Sequence, residues 1–185
     1  ENNLTFSNNF CQKVGFSFGF NHYITNVTIY NNYFNSTSDL FGVPFYVIRL
    51  SNIRDCYIYR NRLNVTHANF KIYMKDTTNV NVYQNSFNFY VQIESVENNQ
   101  GTKFYNSTIQ RGNYWADYTL RYPDATNDGE IWDTPYILNG FQDNFPLVNP
   151  INITNYGSNI INGYNPFILI MILGIGINLL IRKRK

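Results

Sequence analysis

Charge is scarce in this chain. Only 14% of its 185 residues are Asp, Glu, Lys or Arg, and the formal net charge is +2. The basic excess lies at the end, in Arg182, Lys183, Arg184 and Lys185, and the remainder is slightly acidic. No basic patch is left to neutralise a phosphate backbone, so nucleic acid is not an expected partner. Cysteine is as rare, with Cys11 and Cys56 alone, too few for a disulfide framework. The two histidines, His22 and His67, sit at unrelated places, and no nucleophile motif, phosphate loop or Cys/His metal spacing occurs. A clustered carboxylate pair is also missing: Asp39, Asp55 and Asp76 fall on a loop, a corner and a turn. No catalytic residue is assigned, and the chain is not expected to be an enzyme. Helical periodicity is absent from the first 114 residues, which excludes leucine-rich and helical repeats.

What the chain has instead is Asn, Tyr, Phe and a repeat. Asn26-Val-Thr-Ile-Tyr-Asn-Asn-Tyr-Phe34 has counterparts starting at Asn3, Asp55 and Asn79, with a worn copy at Asn106 to Tyr114. Counting the first residue as position 0, positions 1 and 3 are mostly apolar and positions 2 and 4 polar or Tyr. That period-two alternation marks a half-buried strand. Position 6 is Asn9, Asn32, Asn61 and Asn85 in turn, with Gly112 in the worn copy. Asn there marks a corner, since it tolerates left-handed backbone. A second alternating segment follows each corner: Phe16–Phe20, Tyr46–Leu50, Phe70–Met74 and Phe89–Ile93.

The starts are separated by 23 to 29 residues. Short strands and Asn corners at that period describe an all-β right-handed parallel β-helix of about five coils, each stacked ~4.8 Å above the last. Its position-6 amides would form an internal ladder. An antiparallel sandwich, the alternative, has no reason to repeat position by position. Cys11 and Cys56 would lie at different heights and on different faces, farther apart than the ~7 Å a bridge allows, and read as small buried hydrophobes.

Beyond the coils (1–114) the texture changes. Gly112-Asn-Tyr-Trp-Ala-Asp-Tyr118 leads to an Asp/Gly-rich stretch, then Asp133-Thr-Pro-Tyr136 and Asp143-Asn-Phe-Pro-Leu147. In that order these pieces resemble the closing segment of NosD-like right-handed β-helix proteins of the archaeal surface type. The resemblance covers about residues 26–148 and is specific at 112–147. It implies a C-terminal cap (115–148) over the open strand edges, with Trp115, Tyr118, Trp132, Tyr136 and Phe145 as lids. Copper delivery, which the resemblance also suggests, does not carry over, because the coils lack a Met/His/Cys site.

Residues 149–165 read as a polar linker and Pro166–Ile181 as a membrane-spanning helix. Sixteen residues reach ~24 Å, a little short of the hydrocarbon core, and Tyr164 and the basic end supply interfacial anchors. The basic tail (182–185) places the C-terminus in the cytosol and the β-helix outside the cell. Gly174 and Gly176 allow close helix approach, and Asn178 seeks a hydrogen-bonding partner within the membrane. The chain opens on Glu1 almost at a repeat start, which predicts a signal peptide or further coils upstream.

Three further features concern binding. Asp124, Thr126 and Asp128 before Gly129 match the opening of a calcium loop, with Asp133 as a further ligand, although Pro135 stands where the bidentate Glu belongs. The alternative is a turn held by side-chain caps, and no other cofactor is expected. Six Asn-x-Ser/Thr sequons occur. Asn35, Asn64 and Asn152, at loop starts and in the linker, are the better acceptors for N-linked glycans; Asn3, Asn26 and Asn106 share position 0, where the repeat itself demands Asn. Tyr30, Tyr59 and Tyr83 at position 4 form an outward aromatic ladder, either stabilising the sheet or contacting a partner. The expectation is a non-catalytic, glycosylated, single-pass surface protein with a structural, adhesive or accessory role. It would contact the membrane, other membrane or surface proteins, and sugars. The alternatives are an accessory subunit of a larger membrane complex and a fragment of a carbohydrate-active enzyme.

Overall fold

The computed structural model describes residues 3–12, 15–36, 45–65, 70–88, 91–153, 160–162 and 167–169. The chain begins with two short strands, β1 (Leu4–Ser7) and β2 (Phe10–Gln12). Long and short strands then alternate: β3 (Gly15–Tyr30), β4 (Tyr33–Ser36), β5 (Phe45–Tyr59), β6 (Arg62–Val65), β7 (Phe70–Tyr83) and β8 (Ser86–Phe87). Next come β9 (Gln92–Val96) and β10 (Tyr114–Trp115). The odd-numbered strands up to β9 pair in sequence in one sheet and the even-numbered ones up to β10 in another, all parallel. This is a parallel β-solenoid of about three turns rather than five. Only the three long-plus-short pairs are complete, while the first and last repeats supply partial rungs.

The register follows the repeat. Val27, Cys56 and Val80 pair in succession, as do Ile29, Ile58 and Val82, and all six are buried. Position 8 supplies Cys11, Phe34, Leu63 and Phe87, all at most 1% exposed. Each such side chain contributes roughly 1.5–3 kcal/mol of burial. Both cysteines are free, and burial pushes each thiol up to about 12, so neither is reactive.

The corners lie one residue from where the repeat suggests. Left-handed backbone falls at position 5 (Asn8, Asn31, Arg60, Gln84) and at position 0 (Asn26, Asp55, Asn79, then Gly101), with a third column at Asn52, Asp76 and Asn98. Position 6 is instead an internal rung. The backbone N–H and Nδ2 of Asn9 both donate to Oδ1 of Asn32, at 3.1 and 2.9 Å. Asn32 does the same to Asn61, Asn61 to Asn85, and Asn85 to Asn113. Each remaining Nδ2 proton goes to main-chain carbonyls, such as Ile29 O and Tyr59 O for Asn61.

The last rung corrects the reading of the worn copy. Asn81 bridges Lys103 and Trp115 pairs with Phe87, so the fifth level is Gly101–Tyr105 followed by Asn113–Trp115. Residues 106–112 are an insertion that imitates the repeat. The ladder residue is Asn113, not Gly112, and position 8 is Trp115, not Tyr114.

The cap follows, comprising a short helix α1 (Tyr118–Arg121) and an antiparallel hairpin, β11 (Tyr136–Leu138) with β12 (Phe141–Asp143). Trp115 stacks between Phe87 (4.6 Å) and Tyr136 (4.4 Å), extending the position-8 column past the final turn. Trp115, Tyr118 and Tyr136 are buried; Trp132 stacks on Tyr118, and Phe145 meets Tyr105 edge-on. Leu147 bridges Tyr114 in parallel, covering the β10 edge. In the stretch expected as linker and membrane helix, residues 149–153 are irregular, and the other described residues form β13 (Ile160–Asn162), paired with β2, and β14 (Phe167–Leu169), paired with β3. Among the described residues no helix is long and apolar enough to cross a membrane. Residues 170–185, with Gly174, Gly176 and Asn178, lie outside the described residues, as does Tyr164.

Candidate functional site: an outward tyrosine column

Position 4 points away from the core, and stacked registers bring its residues into line. Ser7 pairs with Tyr30, Tyr30 with Tyr59, and Tyr59 with Tyr83; Tyr105 follows on the next level. The Tyr30 and Tyr59 rings lie 5.2 Å apart at 5°, and those of Tyr59 and Tyr83 lie 5.4 Å apart at 9°. All three rings are half-buried, and Tyr57, at position 2 alongside, is exposed. Because the rings face one another, their flat faces are largely engaged within the column. Edges and hydroxyls are what the column offers to solvent.

Burial holds the Tyr59 hydroxyl above its ordinary value, aided by Tyr30. Tyr83 is raised chiefly by burial and by Tyr59 and Tyr57, against a side-chain bond from Asn106. The Tyr59 and Tyr83 hydroxyls therefore stay neutral through physiological pH, and the column presents a row of hydroxyl donors and acceptors. Other aromatic–guanidinium contacts decorate the outside. Arg54 lies 4.0 Å over Tyr23, Arg49 4.8 Å over Tyr73, and Arg62 5.6 Å over Tyr33.

The remaining candidates are not brought together. Asp55 accepts from Asn79 and Asp76 from Asn98, each a single corner contact between adjacent levels. Asp39 and His67 lie outside the described residues, and for His22 only the strand is described. Among the described residues no group of three His, Cys, Asp or Glu side chains converges to hold a metal. In the 124–133 loop, Asp128 Oδ1 accepts from the N–H of Glu130 and Ile131, and Asp133 accepts from Thr126 and Thr134. Asp124 is exposed.

The sequons separate by exposure. Asn3, Asn26 and Asn152 are exposed. Asn35 and Asn64 are half-buried strand residues, cross-strand partners with Asn64 Nδ2 3.2 Å from Asn35 Oδ1. Asn106 caps its own turn through the N–H of Thr108 and Ile109. Exposure thus favours Asn3, Asn26 and Asn152, since a glycan must leave the surface freely.

One buried group escaped the repeat-based reading. Asp143, on the cap hairpin, meets the end of the amide ladder. Its Oδ2 accepts from Asn113 N–H (2.7 Å), Asn113 Nδ2 (3.3 Å) and Trp115 Nε1 (2.9 Å), and its Oδ1 from Phe145 N–H (3.0 Å). The repeat holds no signal for it, because it comes from outside the coils. The class these features define is a parallel β-solenoid with an amide-laddered core, an outward tyrosine column and an aromatic cap. Comparison with protein-family models, with curated proteins and with solved structures finds no match.

Proposed function

We propose that the chain is a non-catalytic surface scaffold, a membrane-anchored and glycosylated extracellular β-solenoid of the NosD-like archaeal type. Its tyrosine column serves as the contact surface for a neighbouring surface protein or saccharide. The observation that carries this reading is the register of Tyr30, Tyr59 and Tyr83, which lines their hydroxyl edges along one outer face. An evenly spaced aromatic row with polar edges suits a partner that makes many similar small contacts. The deciding experiment is native mass after mild-detergent extraction of the full chain, with co-purifying chains and glycans identified, for wild type and Tyr59→Ala. A partner or saccharide retained by wild type and lost in the variant supports the contact role. Retention undiminished in Tyr59→Ala moves the contact elsewhere, and turnover of a polysaccharide by the purified chain would sink the non-catalytic reading.

A further inference from the structure

Tyrosines recur on the outside of this solenoid, but among the described residues only position 4 sets tyrosine against tyrosine. Tyr57 lies between Thr28 and Asn81, Tyr73 between Arg49 and Glu94, and Tyr33 between Phe10 and Arg62. Tyr30, Tyr59 and Tyr83 are instead direct cross-strand partners in succession. Parallel pairing in register holds equivalent side chains one rung apart, and these rings stack at 5.2 and 5.4 Å, within 5° and 9° of parallel. Each ring therefore has a second phenol as its stacking neighbour, and Tyr59 has one on either side.

That arrangement suits radical coupling. A phenol that gives up one electron, and its hydroxyl proton to water, becomes a neutral radical with spin on the oxygen and on the ortho ring carbons. The column keeps its hydroxyls at the solvent edge, where the proton can leave. Rotation about χ1 and χ2 brings ortho carbons of adjacent rungs together, because the strands that carry them are already ~4.8 Å apart. Two such radicals form one C–C bond, and the hydrogen on each coupled carbon passes through water to its phenolic oxygen. Both rings regain aromaticity and both hydroxyls return. In sum two tyrosines lose two hydrogen atoms, and one hydrogen peroxide molecule takes them up as two waters.

Competing groups are shielded. Cys11, Cys56 and Met74 are buried in the core, and Trp115 is buried beneath the cap. The cap also gathers Tyr118, Tyr122 and Tyr136, but at tilted or wider ring contacts. Their hydroxyls are bonded to Thr134 O, the Ile137 N–H and the Asp117 carboxyl, and Tyr118 and Tyr136 are buried.

We propose that the tyrosine column is a site of oxidative cross-linking, at which a one-electron oxidant of the peroxidase–peroxide class joins Tyr59 to Tyr30 or to Tyr83 as an intrachain dityrosine. The link follows from ring geometry and stands whether or not the column also meets a partner. Its consequence is to weld neighbouring turns at their existing register. Each link closes a loop of one full turn in the unfolded chain, so the linked protein should melt roughly 5–10 °C higher.

The test treats dilute full-length protein with peroxidase and hydrogen peroxide, and reads dityrosine fluorescence, intact mass, cross-linked peptides and melting temperature. The expected product is a monomer lighter by two hydrogens per link, with Tyr59 joined to Tyr30 or Tyr83. Tyr59→Phe keeps a ring in the stack but removes the phenol and leaves Tyr30 and Tyr83 two rungs apart, so it should lose most of the intrachain dityrosine. Tyr57→Phe, which has no tyrosine across either strand, should lose none. The proposal is overturned if no dityrosine forms or if links form only between chains. It is equally overturned if the peptides map to Tyr57 or to the cap, if Tyr59→Phe links as well as wild type, or if the linked monomer melts no higher.

Discussion

Two columns climb this solenoid at the same spacing, amides inside and tyrosines outside, and they are built of different residues for a physical reason. Inside, every polar atom needs a partner, because an unsatisfied buried group costs about 1–3 kcal/mol. Asn can both give and receive along one axis, so Asn9, Asn32, Asn61, Asn85 and Asn113 satisfy one another and the corner carbonyls. Outside, the hydroxyl edges face solvent, and Tyr30, Tyr59 and Tyr83 are in line because the core has set the register. The inner column specifies the stacking. The outer one uses it.

The sharpest way to break that comparison is to remove one inner rung. Asn61→Ala takes away the acceptor of Asn32 N–H and Nδ2 and the donor to Ile29 O, Tyr59 O and Asn85 Oδ1. Two buried donors are orphaned and a cavity opens, so the expected loss is about 3–5 kcal/mol in denaturant titrations. A loss below about 1 kcal/mol would mean that the ladder follows the register rather than setting it.

How much of this was legible follows the repeat closely. Where the chain repeats, alternation placed the inward residues at positions 1, 3 and 8, and position 6 was readable as an amide ladder. Where it stops repeating, pattern misled. Asn106–Gly112 carries the Asn-x-Thr-Ile look of a coil but is an inserted turn, so the final rung was read one residue early. Five copies suggested five coils, yet the outer two supply only short strands or single bridges. Asn35 and Asn64 looked accessible because loops follow them, but the strand continues through both and pairs them. Asp143 could not be found from the coils, since the residue that meets the end of the ladder lies on the cap hairpin, outside the repeat.

A second break targets the end of the inner column. Gly112→Ala drives a methyl group onto the Asp143 carboxyl, which must leave its four donors or push the hairpin away. The expected loss is about 2–4 kcal/mol, together with a changed Trp115 environment. The outer column should yield less. Tyr59 stacks on both neighbours, so Tyr59→Ala is expected to cost about 1–2 kcal/mol, from two half-exposed ring contacts. Tyr59→Phe, which keeps the stack, should cost far less. If Tyr59→Ala were as damaging as Asn61→Ala, the outer column would share in specifying the register, and the division between the two columns would fail.

The smallest effect is expected in the 124–133 loop, where the comparison extends to the carboxyl groups themselves. Asp143 is buried and raised, whereas Asp128 and Asp133 are exposed and lowered. The leading cause is the N–H of Ile131 for Asp128 and the Thr126 side chain for Asp133. The signs therefore oppose. A lowered carboxyl contributes stability above its unfolded value near 4 and loses it as pH falls through the folded one, so this loop slackens in acid. These same bonds occupy the oxygens that a calcium ion would need: Asp128 Oδ1 is held at 2.7 and 2.8 Å, and Asp133 Oδ2 at 2.6 Å. Millimolar calcium at pH 7 should consequently leave the melting temperature unchanged, and Asp133→Asn should lower it only slightly. A calcium-dependent rise that Asp133→Asn abolishes would show instead that the loop trades its internal caps for the ion, as the spacing of Asp124, Thr126 and Asp128 first suggested.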